Sequence, residues 1–344
     1  MHSDDDVSES GDTATPWHGV FTSNSGAAGQ YRRLGESCWN IPRGPAGASI
    51  APAPVGGGLA LYRACPEDSV MAGMLYDNKA AAQLEQAYAT TDMIDQREEL
   101  RRSLRASAGE SILDLGSGPG FLACELAQEV GAAGRIVALD ISSDMNSIAS
   151  KRVAAFGFAD RVEILAGDAT ALAFADATFD AAVSMQVIEY LAEPDAAFHQ
   201  LARVLRPDGR LVIIDTDWDS LVWAATDRRR AARIAAAWNE HLPDPFLPRS
   251  LAPRLRAAGF EVREIRIVPI LNTTYDATTF SYNIAGLIAA FVPGHGGISE
   301  DEATEWLNDL AELQHEGRYF FSVNRYLFAA SRPEGVGPRS ATGL

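Results

Sequence analysis

The sequence predicts an α/β fold of the doubly wound type: a seven-stranded, mostly parallel sheet with an antiparallel final strand, plus a helical cap. Three observations lead to this prediction. From residue 110 short apolar runs alternate with helical patterns, and a glycine-rich turn at 116–120 joins the first strand directly to a helix. After residue 215 this regular alternation of strands and helices ends. Strands that alternate with helices form parallel sheets with right-handed crossovers.

Each predicted strand is a short apolar run, and each predicted helix repeats apolar residues every three to four positions. The core strands are expected at Ser111–Leu115, Arg135–Asp140, Val162–Ala166, Phe179–Met185 and 211–215. The helices between them are expected at Phe121–Val130, 144–156 and 194–205, with a turn at 206–209. Later helices are expected at 228–238 and 250–258, and later strands at 261–270 and 319–330.

Four regions follow from this pattern. Residues 1–70 are rich in Gly, Pro, Ser and Ala and predict an irregular, flexible N-terminal extension, whereas 71–108 predict helices that contribute to a cap. The core comprises 109–270 and 319–333. Residues 271–318 form a cap insertion with a helix near 281–291 and another that opens with Ser299 and Glu302 in a capping-box pattern.

Composition limits the function. The chain has a formal net charge of −17, whereas binding to nucleic acid or to an anionic membrane requires a cluster of Lys and Arg. We therefore expect a small-molecule partner, with neither nucleic acid nor membrane. Three widely spaced cysteines, Cys38, Cys65 and Cys124, predict neither a disulfide framework nor a metal site. No apolar run is long enough to span a bilayer, and we expect a cytoplasmic protein, with a homodimer left open.

The glycine turn carries the strongest chemical signal. A glycine-rich turn between a strand and a helix lets backbone approach a ligand and points unpaired N–H groups at it. Gly116, Gly118 and Gly120 are spaced two by two, and Phe121 follows. Dinucleotide-binding turns place the third glycine three positions after the second. The spacing therefore favours a cofactor with an amino-acid portion over one with a pyrophosphate.

Two acidic residues end the next strands. Asp140 follows the second strand, where a carboxylate can accept hydrogen bonds from both ribose hydroxyls. Asp168 follows the third strand and is expected to meet an adenine amino group at the same sheet edge. Nicotinamide-binding folds have no general need for this second acid.

These motifs resemble those of class I S-adenosylmethionine-dependent methyltransferases. The resemblance rests on five segments in order: LDLGSGPG at 113–120, ALDIS at 138–142, GDAT at 167–170, FDAAV at 179–183 and LRPDGRL at 205–211. It covers residues 76–333 and is closest to the small-molecule branch with the ubiquinone/menaquinone-type and arsenite-type enzymes. It implies a Rossmann-like fold and S-adenosyl-L-methionine as cofactor, but does not identify the methyl acceptor.

The resemblance also implies roles for individual residues. Gly116 and Gly118 are expected beside the methionine portion, Asp140 beside the ribose, and Gln186 near the reacting sulfur. The full set expected to bind the cofactor is Asp114, Gly116, Ser117, Gly118, Asp140, Ile141, Met145, Asp168, Ala169 and Gln186. Within it, Ile141 and Met145 are expected to cover the adenine faces, and Ala169 to join Asp168 at its edge.

The acceptor should lie after the fourth and fifth strands, where Glu189, Tyr190, Asp215 and Asp217 are the candidate catalytic residues. Many relatives carry a histidine near the positions of Glu189 and Tyr190, so histidine catalysis there is in doubt. A carboxylate at this point can hold an amine or accept a hydroxyl proton. Asp215 and Asp217 can equally cap strand or helix ends.

The sequence therefore predicts S-adenosylmethionine-dependent methyl transfer to a small organic acceptor, at nitrogen or oxygen in preference to carbon. Arsenite is disfavoured as the acceptor because that chemistry uses several cysteines. The main alternative is a protein that binds the same cofactor on the same fold for a non-methylating or regulatory role. A nicotinamide oxidoreductase is disfavoured because it requires the other glycine spacing.

Overall fold

A twisted sheet of seven strands forms the centre of the protein. The computed structural model describes residues 85–334, which lie within one compact unit of the chain. The strands are β1 (Ser111–Leu115), β2 (Arg135–Asp140), β3 (Val162–Ala166), β4 (Phe179–Met185), β5 (Leu205–Trp223), β6 (Glu261–Asn272) and β7 (Phe321–Ser331). Their order across the sheet is β3-β2-β1-β4-β5-β7-β6.

The helices are α1 (Thr91–Leu104), α2 (Phe121–Val130), α3 (Ser143–Ala155), α4 (Pro194–Val204), α5 (Arg228–Trp238), α6 (Pro248–Ala257), α7 (Phe280–Phe291) and α8 (Glu300–His315). Short 3-10 helices lie at Ile188–Tyr190 and Asn239–His241. Among residues 85–334 no helix is both long and apolar enough to cross a bilayer. The predicted irregular extension 1–70 and residues 71–84 of the predicted cap helices lie outside the described residues.

The strand directions confirm the predicted fold class. Strands β1 to β5 pair in parallel with their neighbours, and β7 runs antiparallel to both β5 and β6. Side chains from one strand enter two different cores, because Ile112 packs on one face of the sheet and Leu113 on the other. Helices on both faces bury these strands, which explains why the parallel strands are apolar runs without polar alternation.

Strand β5 is the main departure from the predicted elements. The sequence predicts a strand at 211–215 after a turn at 206–209, whereas β5 extends from Leu205 to Trp223. The turn survives as an irregularity in the pairing with β4, and Asp208 has a left-handed φ of 61°. Beyond residue 215 the polar stretch stays extended because β7 pairs with it, with Asp217 opposite Asn324.

Within 271–318 the helices α7 and α8 lie close to their predicted positions, while β6 extends two residues into this segment, to Asn272. The hydroxyl of Ser299 accepts a hydrogen bond from the Glu302 backbone N–H at 3.1 Å and caps α8. Helices α7 and α8 pack against each other and against α5. Whether this segment acts as a cap over the site stays a prediction.

The order of strands places a candidate site. The chain reverses its direction of travel through the sheet between β1 and β4, and ligands of such sheets bind at the carboxyl ends of the strands beside this point. The glycine loop follows β1 there, and the segment that contains Gln186 follows β4.

Candidate active site

The glycine loop has the backbone geometry that its spacing predicts. Gly116, Gly118 and Gly120 all have positive φ, at 72°, 51° and 79°. A Cβ on Gly116 would lie 2.2 Å from a methyl carbon of Val187, so only glycine fits at this close approach. A Cβ on Gly118 would have no neighbour within 4 Å, because this residue lines an open cavity.

Asp140 ties the end of β2 to the glycine loop. Its Oδ2 accepts a hydrogen bond from the Gly118 backbone N–H, and its Oδ1 accepts one from the Ser142 backbone N–H, each at 2.8 Å. Each oxygen keeps a second lone pair for a further donor. Burial raises the pKa of Asp140, while these backbone hydrogen bonds act in the opposite direction.

A single cavity joins the predicted cofactor residues. It measures about 1070 Å³ including its open mouth. All ten residues that the sequence analysis assigns to the cofactor line it: Asp114, Gly116, Ser117, Gly118, Asp140, Ile141, Met145, Asp168, Ala169 and Gln186. The chain therefore brings residues from four strand ends, spread over more than seventy positions, to one surface.

One end of this cavity has unpartnered polar atoms. Oδ2 of Asp114 and Oγ of Ser117 are buried and have no hydrogen-bond partner within residues 85–334. Burial and the nearby charge of Asp140 raise the pKa of Asp114 to about 8. Such atoms are costly to leave unpaired, so they fit a bound group that carries positive charge and N–H donors. The ammonium and sulfonium of S-adenosylmethionine have this chemistry.

Elsewhere the cavity lining includes aliphatic side chains and a further carboxylate. Ile141 leaves 45% of its surface exposed where it lines the cavity, whereas Met145 on α3 is buried. Asp168 is held by its own turn, since its Oδ1 accepts hydrogen bonds from the N–H and the hydroxyl of Thr170, both at 2.8 Å. An aliphatic surface next to a fixed carboxylate suits a purine ring with an exocyclic amino group.

Gln186 is held rigidly where it enters the cavity. It has a positive φ of 59°, which is uncommon outside glycine. Its Oε1 accepts a hydrogen bond from Oγ1 of Thr216 at 2.5 Å, and its Nε2 donates to the Ile214 carbonyl at 3.2 Å. Nε of the buried Arg325 donates to the same Thr216 oxygen at 3.2 Å. The strained backbone is therefore fixed by β5 and β7.

Glu189 and Asp215 lie behind the cavity wall and not on its surface. Oε2 of Glu189 accepts a hydrogen bond from the Thr216 backbone N–H at 3.0 Å, and Oδ1 of Asp215 accepts one from the Val187 N–H at 3.1 Å. Burial raises the pKa of both carboxyl groups, and the negative charge of Glu189 raises the pKa of Asp215 further. The buried Arg325 acts against this effect with its positive charge.

The remaining two candidate catalytic residues are placed differently. Tyr190 lines the cavity together with Gln186. Asp217 lies outside the lining and forms a bidentate ion pair with Arg249, at 2.8 Å to Nε and 3.0 Å to Nη2. Of the four candidates, Tyr190 is thus the one whose side chain reaches the cavity.

Several cavity-lining residues were not predicted from the sequence, among them Tyr88, Arg97, Phe121 and Leu191. Arg97 on α1 donates to the Tyr88 carbonyl at 2.7 Å, and the guanidinium groups of Arg97 and Arg152 lie 4.9 Å and 3.5 Å from the Phe121 ring centroid. Phe121 could have been found because it follows the third glycine directly. Arg97 could not, since no local pattern indicates where α1 packs.

Comparisons with known proteins agree with this site. Residues 113–213 match a family described as a methyltransferase domain. An uncharacterized 37.1 kDa protein in transposon TN4556 of Streptomyces fradiae is 32% identical over 241 residues, which cover 66% of this chain and 64% of that protein. The ubiquinone/menaquinone biosynthesis C-methyltransferase UbiE of Hahella chejuensis is 32% identical over 108 residues, which cover 31% of this chain and 43% of UbiE.

A solved structure shows the same fold. Phosphoethanolamine N-methyltransferase 2 of Haemonchus contortus, in complex with S-adenosyl-L-methionine, aligns with a TM-score of 0.50 and 19% identity. The alignment covers 75% of this chain and 58% of that protein. The chain spans less than two thirds of the length of the first relatives it matches. The matched segment contains the glycine loop and both acidic strand ends, so residues 113–213 carry a domain of the class I S-adenosylmethionine-dependent methyltransferase type.

Proposed function

We propose that this protein transfers the methyl group of S-adenosylmethionine to a small organic acceptor, at nitrogen or oxygen in preference to carbon. The observation that carries the proposal is the single cavity lined by all ten residues assigned to the cofactor. When bound, the cofactor supplies an activated methyl group on a positively charged sulfur. The protein then needs only to align the acceptor and manage its proton.

The polar end of the cavity is the proposed place for the methionine portion. Gly116 and Gly118 bring backbone close to it, and the unpartnered oxygens of Asp114 and Ser117 face positive charge and N–H groups. Gln186 is proposed to lie near the sulfur, where its side-chain hydrogen bonds hold its position. These residues bind and orient the donor.

The nucleoside portion is proposed to occupy the rest of the cavity. Asp140 binds the ribose hydroxyls with the lone pairs that Gly118 and Ser142 leave free. Ile141 and Met145 cover the adenine faces, and Asp168 and Ala169 meet its edge. The exposed apolar surface of Ile141 supports this assignment, because a flat ligand in the cavity would cover that surface.

At the acceptor end we propose different roles for the four candidate residues. Tyr190 contacts the acceptor. Glu189 and Asp215 act as positioning residues, because they hold the backbone N–H groups of Thr216 and Val187 beside the cavity. Asp217, paired with Arg249, is proposed to stabilise the second half of β5 and to take no part in catalysis.

The proposed acceptor is a small molecule and not a nucleic acid, because a chain with a net charge of −17 repels a polyanion. A cytoplasmic location also stays a proposal.

A homodimer is supported by edge strand β6, where Ile265, Ile267 and Leu271 each leave more than half of their surface exposed. Sedimentation of the wild-type protein and of Ile267→Glu tests this dimer, and equal masses for both would contradict it.

The test of the main proposal has two steps. Calorimetry measures binding of S-adenosylmethionine and, as a comparison, NADH, and mass spectrometry then detects the gain of one methyl group across a panel of amines and phenols. We expect binding of the first cofactor only, together with at least one methylated product that is lost in Tyr190→Phe. Binding without any methylated product would favour a non-methylating role, and no binding would overturn the proposal.

A further inference from the structure

Arg97 brings a positive charge to the cofactor cavity. It lies on α1, is only 3% exposed, and lines the same cavity as the ten residues assigned to the cofactor. Among the described residues that line this cavity, Arg97 is the one with a cationic side chain, whereas Asp114, Asp140 and Asp168 are acidic. A guanidinium keeps its charge in proteins, and a buried charge is costly unless it is paired.

The protein uses only part of the hydrogen-bonding capacity of this guanidinium. Nε of Arg97 donates to Oε1 of Glu125 at 2.9 Å, and Nη1 donates to the Tyr88 backbone carbonyl at 2.7 Å. A guanidinium has five N–H groups, so three of them have no acceptor within residues 85–334. Both N–H groups of Nη2 are among these three. They remain for a ligand that accepts hydrogen bonds.

Glu125 does not neutralise Arg97 alone, because two arginines share it. Its Oε2 lies 3.2 Å from Nε of Arg101, which is one helical turn further along α1. Arg101 also pairs with Glu129 on α2. Of these two cations, Arg97 lines the cavity and Arg101 is not among its lining residues. The charge of Arg97 is therefore available to an anion in the cavity.

Two contacts place Arg97 beside the polar end of the cavity. Its partner Glu125 lies near Asp114, since the charge of Glu125 adds to the effects of burial and of Asp140 that raise the pKa of Asp114. The Arg97 guanidinium also lies 4.9 Å from the ring centroid of Phe121. Phe121 follows the third glycine of the loop and begins α2, where unpaired backbone N–H groups also favour negative charge.

The amino-acid portion of S-adenosylmethionine carries charges of both signs. Its ammonium suits the unpartnered oxygens of Asp114 and Ser117. Its carboxylate needs cationic donors, which the acidic residues of the lining do not supply. One guanidinium can donate two parallel hydrogen bonds to a carboxylate, and such a pair is stronger than neutral hydrogen bonds. Arg97 and Asp114 thus complement the two charges of the ligand.

We propose that Arg97 binds the carboxylate of the methionine portion with two of its free N–H groups, and that it makes the site selective for ligands that keep this carboxylate. This inference rests on the proposed function. It assigns part of the cofactor site to α1, which lies outside the segment 113–213 that matches the methyltransferase family.

A carboxylate on the methyl acceptor is the other anion that Arg97 could bind. The cofactor is favoured because Glu125 and Phe121 hold the guanidinium beside Asp114 and the glycine loop. The methionine portion is proposed to lie there, whereas the acceptor is proposed to contact Tyr190. The two possibilities differ in a measurement that needs no acceptor.

The first test uses wild-type protein and ligands that share the adenosine and the sulfur. S-adenosylhomocysteine has the ammonium and the carboxylate, its decarboxylated form has only the ammonium, and methylthioadenosine has neither. Calorimetry measures each dissociation constant. From the strength of charge-assisted hydrogen bonds we expect the decarboxylated form to bind about 10- to 100-fold more weakly than S-adenosylhomocysteine. Equal affinity for these two ligands overturns the proposal.

The second test assigns this preference to Arg97. In Arg97→Gln we expect the ratio of the two dissociation constants to fall about 10-fold or more, towards one. Methylthioadenosine should bind as it does to wild type, because it lacks the carboxylate. A fall in affinity for all three ligands alike would make Arg97 a structural residue and contradict the proposal, as would an unchanged ratio.

Two further variants complete this test. The matched control is Arg101→Gln, since Arg101 also pairs with Glu125 from α1 but does not line the cavity, and we expect the wild-type ratio there. An equal fall in this control would mean that the effect passes through Glu125. Arg97→Lys keeps the charge without the planar fork, so we expect an intermediate ratio. It provides the measurement if Arg97→Gln does not fold, and a wild-type ratio in it would contradict the paired contact.

The two proposals fail in different ways. If wild-type protein does not bind S-adenosylmethionine, the proposed function fails whatever Arg97 does. If it binds and methylates an acceptor but shows equal affinity for S-adenosylhomocysteine and its decarboxylated form, the proposed function holds and the inference about Arg97 is wrong.

Discussion

The carboxylate of Asp140 accepts a hydrogen bond from the Gly118 backbone N–H at 2.8 Å, so the end of β2 and the glycine loop form one hydrogen-bonded unit. Asp140, which is assigned to the ribose, therefore also fixes the backbone of the glycine loop, which is assigned to the methionine portion of the cofactor. Loss of this side chain should affect both parts of the cofactor site.

Asp140→Ala tests this relationship. Hydrogen bonds to charged groups contribute about 1.5–3 kcal/mol each, so we expect S-adenosylmethionine to bind about 10- to 100-fold more weakly by calorimetry. The control is Asp160→Asn, because Asp160 lies in an exposed turn and pairs with its neighbour Arg161. Unchanged affinity in Asp140→Ala would refute the ribose assignment.

Gly118→Ala separates backbone strain from loss of ligand space. The left-handed φ of Gly118 costs an alanine about 1–2 kcal/mol, but its Cβ would contact no protein atom. Gly157→Ala is a matched control, since Gly157 has a φ of 72°, no neighbour within 4 Å and a position outside the cavity lining. We expect similar losses of stability in both variants, and weaker cofactor binding only in Gly118→Ala. Equal affinities would place the cofactor elsewhere.

Asp114 should make stability and binding depend on pH. Burial raises its pKa to about 8 in the folded protein from an ordinary value of 3.8, so the native state keeps a proton that the unfolded chain releases. The free energy of unfolding should therefore fall as pH rises from about 4 to about 8. Asp140, Glu189 and Asp215 act in the same direction, so the difference between wild type and Asp114→Asn isolates this residue.

The same carboxyl group should respond to the cofactor. A nearby ammonium favours the ionised carboxylate, so binding should release a proton, and affinity should rise with pH towards 8 in the wild type but not in Asp114→Asn. Calorimetry in two buffers with different ionisation enthalpies measures this proton. Identical heats of binding in both buffers would mean that Asp114 does not meet the positive charge.

Asp217→Asn tests whether this residue is structural. The substitution weakens the bidentate contact with Arg249, so we expect a lower Tm with little change in kcat or in cofactor affinity. Thermal unfolding and initial rates on any acceptor found in the panel measure both. A large fall in kcat at unchanged Tm would return Asp217 to the catalytic residues.

Local sequence patterns were sufficient for most of the core. The strands Ser111–Leu115, Arg135–Asp140, Val162–Ala166 and Phe179–Met185 have the predicted bounds, because each is an apolar run ended by a glycine or a polar residue. Strand β5 is longer than predicted. Its second half is extended because β7 provides hydrogen-bond partners about 100 positions away along the chain, which no local pattern shows.

The glycine loop and the acids at strand ends could be read from the sequence because their chemistry depends on spacing along one chain segment. Parallel strands bring their carboxyl ends to the same edge, so Asp140 and Asp168 had to lie near the loop once the fold was known. Only the tertiary structure decided which acids face the cavity. It set Tyr190 beside His241 and paired Asp217 with Arg249, since these contacts depend on how distant helices pack and which buried polar atoms find partners.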